Sequence, residues 1–182
     1  MSKGKIILKE NRFHLTLERL AQELIECYGD FSNCCIIGIQ EKGVVLAERL
    51  IALINERKKK LDIRFGKLDI TFYRDDFRTR KIPITANLTE IEFMLDGKEV
   101  ILVDDVLYTG RTIQSALSAL QDYGRPAKVQ LLVMVDRRFN RHLPIQPDFT
   151  GLVVDSLDEA YVKVLHKKID KKDQVLLFPI KD

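Results

Sequence analysis

Residues 100–112 read VILVDDVLYTGRT, and no other stretch restricts the fold so tightly. Four consecutive apolar residues, Val100 to Val103, suit a strand covered on both faces, as in a parallel sheet. They run into the adjacent acids Asp104 and Asp105, then into a Thr-Gly-Arg-Thr turn that leads directly to a helical pattern at Ile113, Ala116, Leu117 and Leu120. A turn of this kind presents free backbone N–H groups and the positive end of a helix dipole, which together hold phosphate. Gly110 permits close approach of the backbone, Thr109 and Thr112 bring hydroxyls, and Arg111 brings a cation. The two carboxylates are of no use to a phosphate. They suit the cis hydroxyls of a sugar, or Mg²⁺ bridging to one. The segment therefore asks for a sugar phosphate bound beyond the carboxyl end of a parallel strand.

The rest of the chain fits that layout. Leu17, Leu20, Ala21, Leu24, Ile25 and Tyr28 form the stripe of an amphipathic helix ending near Gly29. A continuous apolar run at 34–39 predicts a buried strand, and Gly43 opens a second helix, from Val44 to about Asn55, apolar nearly all round. Alternation at 68–73 (LDITFY) predicts a strand, 74–90 a loop or weak hairpin, and 129–135 another buried strand. Gly124 and Pro126 end the intervening helix. Short strands follow at 152–154, 161–165 and 174–178. Strand and helix alternate through residue 135, so the fold class is α/β with a parallel sheet flanked by helices, and the β-rich tail adds edge strands or a flap. With 182 residues, no repeat and no linker, the whole chain, 1–182, is expected to form one domain.

Composition narrows the function classes. Hydrophobic residues make up 46% and charged residues 31%, which excludes wholesale disorder, and a net charge of +3 gives no general signal for nucleic acid. No apolar run approaches the ~20 residues of a membrane helix, and no signal-peptide core precedes residue 14. Three cysteines, Cys27, Cys34 and Cys35, make no disulfide framework and read as buried thiols of a cytoplasmic protein. His14, His142 and His166 have no metal-ligand spacing. The chain contains no G-x-G, so a dinucleotide fingerprint is absent; Gly38 and Gly43 have P-loop separation, but Val44 and Val45 stand where Lys and Ser/Thr are needed.

VILVDDVLYTGRT resembles the 5-phosphoribosyl-1-diphosphate (PRPP) motif of type I phosphoribosyltransferases. GIQEKG (38–43), ITFYRDD (70–76), YGRPAKVQLLVMVDR (123–137) and LPIQPDFTG (143–151) resemble one branch, the pyrimidine-operon attenuation regulators that are also uracil phosphoribosyltransferases. The resemblance implies a type I phosphoribosyltransferase-like sheet with β-rich hood segments, and transfer from Mg²⁺-PRPP to uracil giving UMP and diphosphate. It implies that Asp104 and Asp105 hold the ribose hydroxyls. The stretch from Asp104 through Val106, Leu107, Tyr108, Thr109, Gly110 and Arg111 to Thr112 would hold PRPP, with the 5′-phosphate at 109–112. Gln40, Glu41, Lys42 and Gly43 would face the diphosphate, and Arg74, with Arg78, Arg80 and Lys81, would close over it. Val135, Asp136 and Arg137 would meet the base, and Tyr108, where purine enzymes commonly carry an aspartate, points away from a purine. Mg²⁺ would arrive with PRPP rather than in a protein cage, and a homo-oligomer, at least a dimer, is implied.

The chain departs from that pattern in places. Glu41-Lys42 replaces Thr-Arg in the diphosphate loop, putting a carboxylate beside a polyanion. Glu18-Arg19…Gln22 stands where the branch has a Thr-Arg…His cluster for RNA, and Asp155, Asp158 and Glu159 fall where it has a basic segment. The insertion-like RRFNRH (137–142) lies beside the base site. Basic runs at 57–60, 137–141 and 163–172 read more readily as solvated surface, and carboxylates near them repel RNA phosphates, so RNA is disfavoured as a partner. The alternative to an enzyme remains a nucleotide-sensing, RNA-binding regulator with little or no catalysis.

Overall fold

The computed structural model describes residues 4–59, 61–73, 88–156 and 160–178. Five strands form a parallel sheet: β2 (Cys34–Ile39), β3 (Arg64–Leu68), β4 (Glu99–Leu107), β5 (Lys128–Arg138) and β6 (Phe149–Asp155), in the order β3-β2-β4-β5-β6. Its central strands are the continuous apolar runs of the sequence, because helices cover both faces. On one face α1 (Glu10–Tyr28) and α2 (Lys42–Arg57) bury Phe13, Leu17, Leu46 and Leu50 against Ile36, Ile101 and Val103. On the other, α3 (Arg111–Leu120) buries Ile113, Ala116 and Leu120 against Ile37, Leu102 and Val133.

A second sheet is antiparallel. The strands β1 (Lys5–Leu8), β7 (Tyr161–Leu165) and β8 (Gln174–Phe178) pair in the order β1-β8-β7, and the short α4 (Lys167–Asp170) joins β7 to β8. This hood unites the two ends of the chain. Its β1 partner carries no pattern visible in the sequence, because four residues with burial on one side give too short a period to detect.

Three expectations need correction. The alternation at 68–73 is not a strand: β3 ends at Leu68, and Thr71–Tyr73 is a 3₁₀ turn. Asp69 accepts hydrogen bonds from the Thr71 amide at 2.7 Å and the Thr71 hydroxyl at 2.5 Å, a local side-chain turn that outcompetes extension. The second helix, apolar nearly all round and so expected to be buried, has an exposed face at Ala52, Glu56 and Arg57. Its apolar look comes from being covered twice, by the sheet and by α1, while the hood meets it through polar groups, with Lys168 at 2.5 Å from Glu48. Of the three thiols, Cys34 and Cys35 are buried and Cys27 is exposed on α1.

The strand order places the site. From β2 the chain passes through α2 to the edge strand β3, then returns across β2 to β4 and continues through α3 to β5 on the other side. Direction reverses between β2 and β4, the position where open α/β sheets bind ligands. There the ladder between β2 and β4 stops at Gly38–Val103, while that between β4 and β5 continues to Leu107–Asp136. The stretch from Asp104 to Leu107 is thus paired along β5 but not along β2, and this unpaired side of β4, beside the two aspartates, is the candidate crevice.

Candidate active site

Asp104 and Asp105 lie inside β4 rather than after it. Asp104 is buried and Asp105 half-buried, and the Asp105 amide donates to Asp104 Oδ1 at 2.8 Å. Burial removes solvation from both carboxylates and holds Asp104 well above the usual range, with the Asp105 charge adding to it. Burial raises Asp105 as well, while the Lys42 cation opposes the rise. Two carboxylates short of counter-charge face the crevice, the chemistry that takes hydroxyl donors or a cation.

The phosphate-type loop follows. Gly110 caps α3 at φ 91°, a left-handed conformation that glycine adopts without cost, and the cap makes no side-chain hydrogen bond. The first N–H groups of α3 therefore have no acceptor within the helix and point out of its N-terminus. A buttress stands behind this loop. The Thr109 carbonyl accepts from the amides of His142 at 3.0 Å and Leu143 at 3.3 Å, and Leu143 and Ile145 pack around Gly110.

The Gln40–Gly43 loop joins β2 to α2, and the Gln40–Glu41 peptide is cis. Gly43 is pressed against β4 so closely that a Cβ there would lie 2.3 Å from the Val103 carbonyl oxygen. Glu41 is exposed. Lys42, expected to face the diphosphate, has its ammonium turned to the hood: it donates to the Val164 carbonyl and lies 3.9 Å from Asp170 Oδ2 and 4.0 Å from Asp105 Oδ2.

At the end of β5 the three residues expected to meet a base have different settings. Val135 is fully buried in the apolar core. Asp136 is buried and accepts from Arg141, which also donates to the Tyr108 carbonyl. Arg137, only 3% exposed, lies with its guanidinium 3.9 Å from the centroid of the Tyr108 ring. Its Nε donates to Ser156 Oγ at 3.1 Å and an η nitrogen to the Ala160 carbonyl at 2.6 Å. Tyr108, Arg137, Asp136 and Arg141 thus form one tied wall beside the phosphate-type loop.

The structure brings Gln40–Gly43, Asp104–Thr112 and Asp136–Arg137 to the carboxyl end of the central strands β2, β4 and β5. Arg74, Arg78, Arg80 and Lys81 lie outside the described residues. Sequence reasoning noted Arg141 only as part of the RRFNRH segment and missed the hood groups Val164 and Asp170, which nothing in their local pattern marks, since each acts through a contact distant in sequence. Among the described residues no cluster of three or more His, Cys, Asp or Glu side chains could hold a metal by itself.

A family model described as the phosphoribosyl transferase domain matches residues 4–168. The chain belongs to the phosphoribosyltransferase family. Relatives of this phosphoribosyltransferase include a protein named "Bifunctional protein PyrR" from Gloeothece citriformis, 46% identical over 171 residues, 94% of this chain and 95% of the relative. A protein of the same name from Microcystis aeruginosa is 47% identical over 171 residues, again 94% and 95% of the two chains. Among solved structures, a hypoxanthine phosphoribosyltransferase from Trypanosoma cruzi superposes with a TM-score of 0.73, covering 98% of this chain and 96% of its own. At 16% identity that likeness speaks for the fold alone: a type I phosphoribosyltransferase sheet with a hood. No helix among the described residues is long and apolar enough to cross a membrane.

Proposed function

We propose that this phosphoribosyltransferase transfers the phosphoribosyl group of PRPP to uracil, forming UMP and diphosphate, in cytoplasmic pyrimidine salvage. The observation that carries this reading is the candidate crevice at the switch point, where the buried acid pair lies against Gly43 and leads on into the N-terminus of α3. The N–H groups and hydroxyls of 109–112 hold the 5′-phosphate, and Asp104 and Asp105 accept hydrogen bonds from the ribose hydroxyls. The bond from C1 to the diphosphate oxygen breaks while C1 bonds to N1 of uracil, whose proton passes to solvent. An oxocarbenium-like transition state places positive charge on the ribose ring, which the neighbouring carboxylates stabilise electrostatically. The helix ends and backbone donors fix the two reactants for in-line displacement.

Mg²⁺ fits the donor chemistry: Asp104 and Asp105 are desolvated carboxylates in need of positive charge, and a cation entering on the diphosphate supplies it. Tyr108, where the resemblance gives purine enzymes an aspartate, is stacked on Arg137, which supports a one-ring substrate over a purine. A homo-oligomer is the working form implied by the family resemblance.

The relatives' name, "Bifunctional", supports a second role, the RNA-binding regulation that the resemblance attaches to this branch. In this chain Arg19 on α1 and Arg57 on α2 are engaged internally. Arg19 pairs with Glu23 at 2.5 Å and donates to the carbonyls of Thr150 and Gly151, while Glu18 draws in His14 at 3.1 Å and Arg57 at 3.7 Å. These ties disfavour a phosphate-binding face there. A steady-state assay with Mg²⁺-PRPP and labelled uracil, with hypoxanthine, orotate and xanthine in parallel, tests the main reading. UMP as the sole product supports it; product from hypoxanthine and none from uracil overturns it. Filter binding to pyrimidine-leader RNA tests the second role.

A further inference from the structure

The hood is fastened to the active-site helix by two cations from one face of α2. Lys42 and Arg49 lie seven residues apart, two turns of helix. Arg49 makes a two-pronged pair with Asp173, at 2.6 Å and 2.9 Å, and Asp173 also accepts from the Lys167 amide at 2.8 Å. Lys42 donates to the Val164 carbonyl and approaches Asp170 at 3.9 Å, and Asp170 Oδ2 is itself held by the His166 amide at 3.0 Å. The two fastenings differ in one respect. Arg49 ends in the hood, whereas Lys42 also reaches Asp105, at 4.0 Å, in the acid pair of the crevice.

Lys42, Asp105 and Asp170 are all mostly shielded, with side-chain exposures of 25%, 20% and 19%. Between the fastenings sits His166, fully buried, its ring edge-on to Phe13 and both ring nitrogens without a hydrogen-bond partner among the described residues. An uncharged ring there adds no third cation to Lys42 and Arg49. The ammonium therefore has a fixed place, set by one carbonyl and one carboxylate of the hood, and from that place it offsets a carboxylate of the ligand site.

We propose that Asp170, on the hood, is a positioning residue for PRPP binding: it holds the Lys42 ammonium beside Asp105, so that the acid pair and the diphosphate loop are assembled before the ligand arrives. Without Asp170 the lysine keeps its carbonyl acceptor but loses the charge that fixes its direction, and the loop bearing it must be ordered at the cost of ligand affinity. Asp170 touches neither substrate nor reacting atoms and works only through Lys42.

This inference rests on the PRPP reading above. Calorimetric titration with Mg²⁺-PRPP reads it without requiring turnover, and steady-state kinetics adds a second readout. Asp170→Asn keeps an acceptor for the His166 amide and should weaken PRPP affinity, and raise KM for PRPP, about tenfold, within the range found for coupled neighbours, with KM for uracil unchanged. Asp170→Glu should recover most of the loss. In a Lys42→Gln background, Asp170→Asn should add nothing. Wild-type affinity in Asp170→Asn overturns the proposal, as does a fall in kcat alone with both KM values unchanged, the mark of a smaller folded fraction. So does the same loss with and without Lys42. A wild-type protein that neither binds PRPP nor forms UMP overturns the functional reading itself, and this inference with it.

Discussion

Gly43→Ala offers the sharpest test of how the diphosphate loop is placed. Gly43 is in the first turn of α2, where alanine in place of glycine favours the helix by up to about 1 kcal/mol. Helix propensity alone therefore makes the variant more stable than the parent. The structure requires the opposite. A Cβ at this position would lie 2.3 Å from the Val103 carbonyl oxygen and 3.1 Å from Asp104 Cα, both backbone atoms of the central strand. Non-bonded contacts become favourable at about 3.5 Å, so the loop must withdraw from β4 by about 1 Å. The strand is pinned on its other side by its ladder with β5, which leaves the loop to do the moving. Overpacking of this kind costs about 1–3 kcal/mol of stability. A 1 Å displacement of a positioning element costs about 10²-fold in rate, which is about 2.7 kcal/mol of transition-state stabilisation. The assay is kcat/KM for PRPP with uracil as acceptor, paired with a urea unfolding curve. A folded Gly43→Ala protein that is as stable as the parent and retains kcat/KM within about threefold would show that the close approach has no bearing on the site.

Three further outcomes are expected. Asp104→Asn removes a carboxylate whose pKa folding raises, so the native state of the parent binds more protons than the unfolded chain between the ordinary carboxyl value and the raised one, and loses stability as pH rises through that window. The variant should therefore melt higher than the parent at neutral pH while losing transfer by about 10²-fold or more, and a lower melting temperature with retained activity would refute both halves. His166 is shifted the other way, from 6.5 to about 4, because burial and the Arg49 and Lys42 cations keep its ring neutral. The unfolded chain then takes up the proton first, and about 3 kcal/mol of stability present above pH 6.5 is lost as pH falls towards 4; urea curves of His166→Met should lack that part of the slope, and an unchanged slope would exclude His166 as its source. Burial pushes the thiols of Cys34 and Cys35 up to about 12 and about 11, whereas Cys27 is exposed, so a disulfide reagent at pH 8 should titrate one thiol in the native protein and three after denaturation.

The elements that could be read from the sequence are those whose signal is local. The apolar runs of β2, β4 and β5 are continuous because helices cover both faces, and no neighbour in sequence is needed to see that. The stripe of α1 and its end at Gly29 follow from side-chain spacing and one residue with φ 59°. The 68–73 stretch shows where this logic fails. Leu68, Ile70 and Phe72 alternate as a strand would, yet Phe72 is 68% exposed, because Asp69 closes a turn before the alternation can be used. The strand that does form, Arg64–Leu68, has Gly66 at its centre and charges at two of its five positions, a pattern that hides it. β1 is a strand only because β8 pairs with it from the far end of the chain.

The candidate site divides along the same line. Asp104–Thr112 is visible because strand, acid pair, turn and helix are consecutive, so one short segment carries the whole of the proposed phosphate and ribose chemistry. Gln40–Gly43 is visible only through the resemblance, and its Lys42 shows why residue type alone misleads. A lysine beside a diphosphate loop suggests a phosphate ligand, but a cation goes to the nearest desolvated anions and carbonyls, and the fold brings Asp105, Asp170 and the Val164 carbonyl within its reach. Two of those three belong to a hood more than 120 residues further along the chain. The same holds for Arg137, which the resemblance sets beside the base. The structure buries it, and the Ser156 and Ala160 acceptors and the Tyr108 ring that hold it all come from other segments. What a motif cannot contain is the electrostatic balance around it, because desolvation is a property of everything packed on the site rather than of the residues in it. For this chain the cation beside the acid pair, Lys42, is tied to Asp170 and the Val164 carbonyl of the hood, residues that no active-site motif includes.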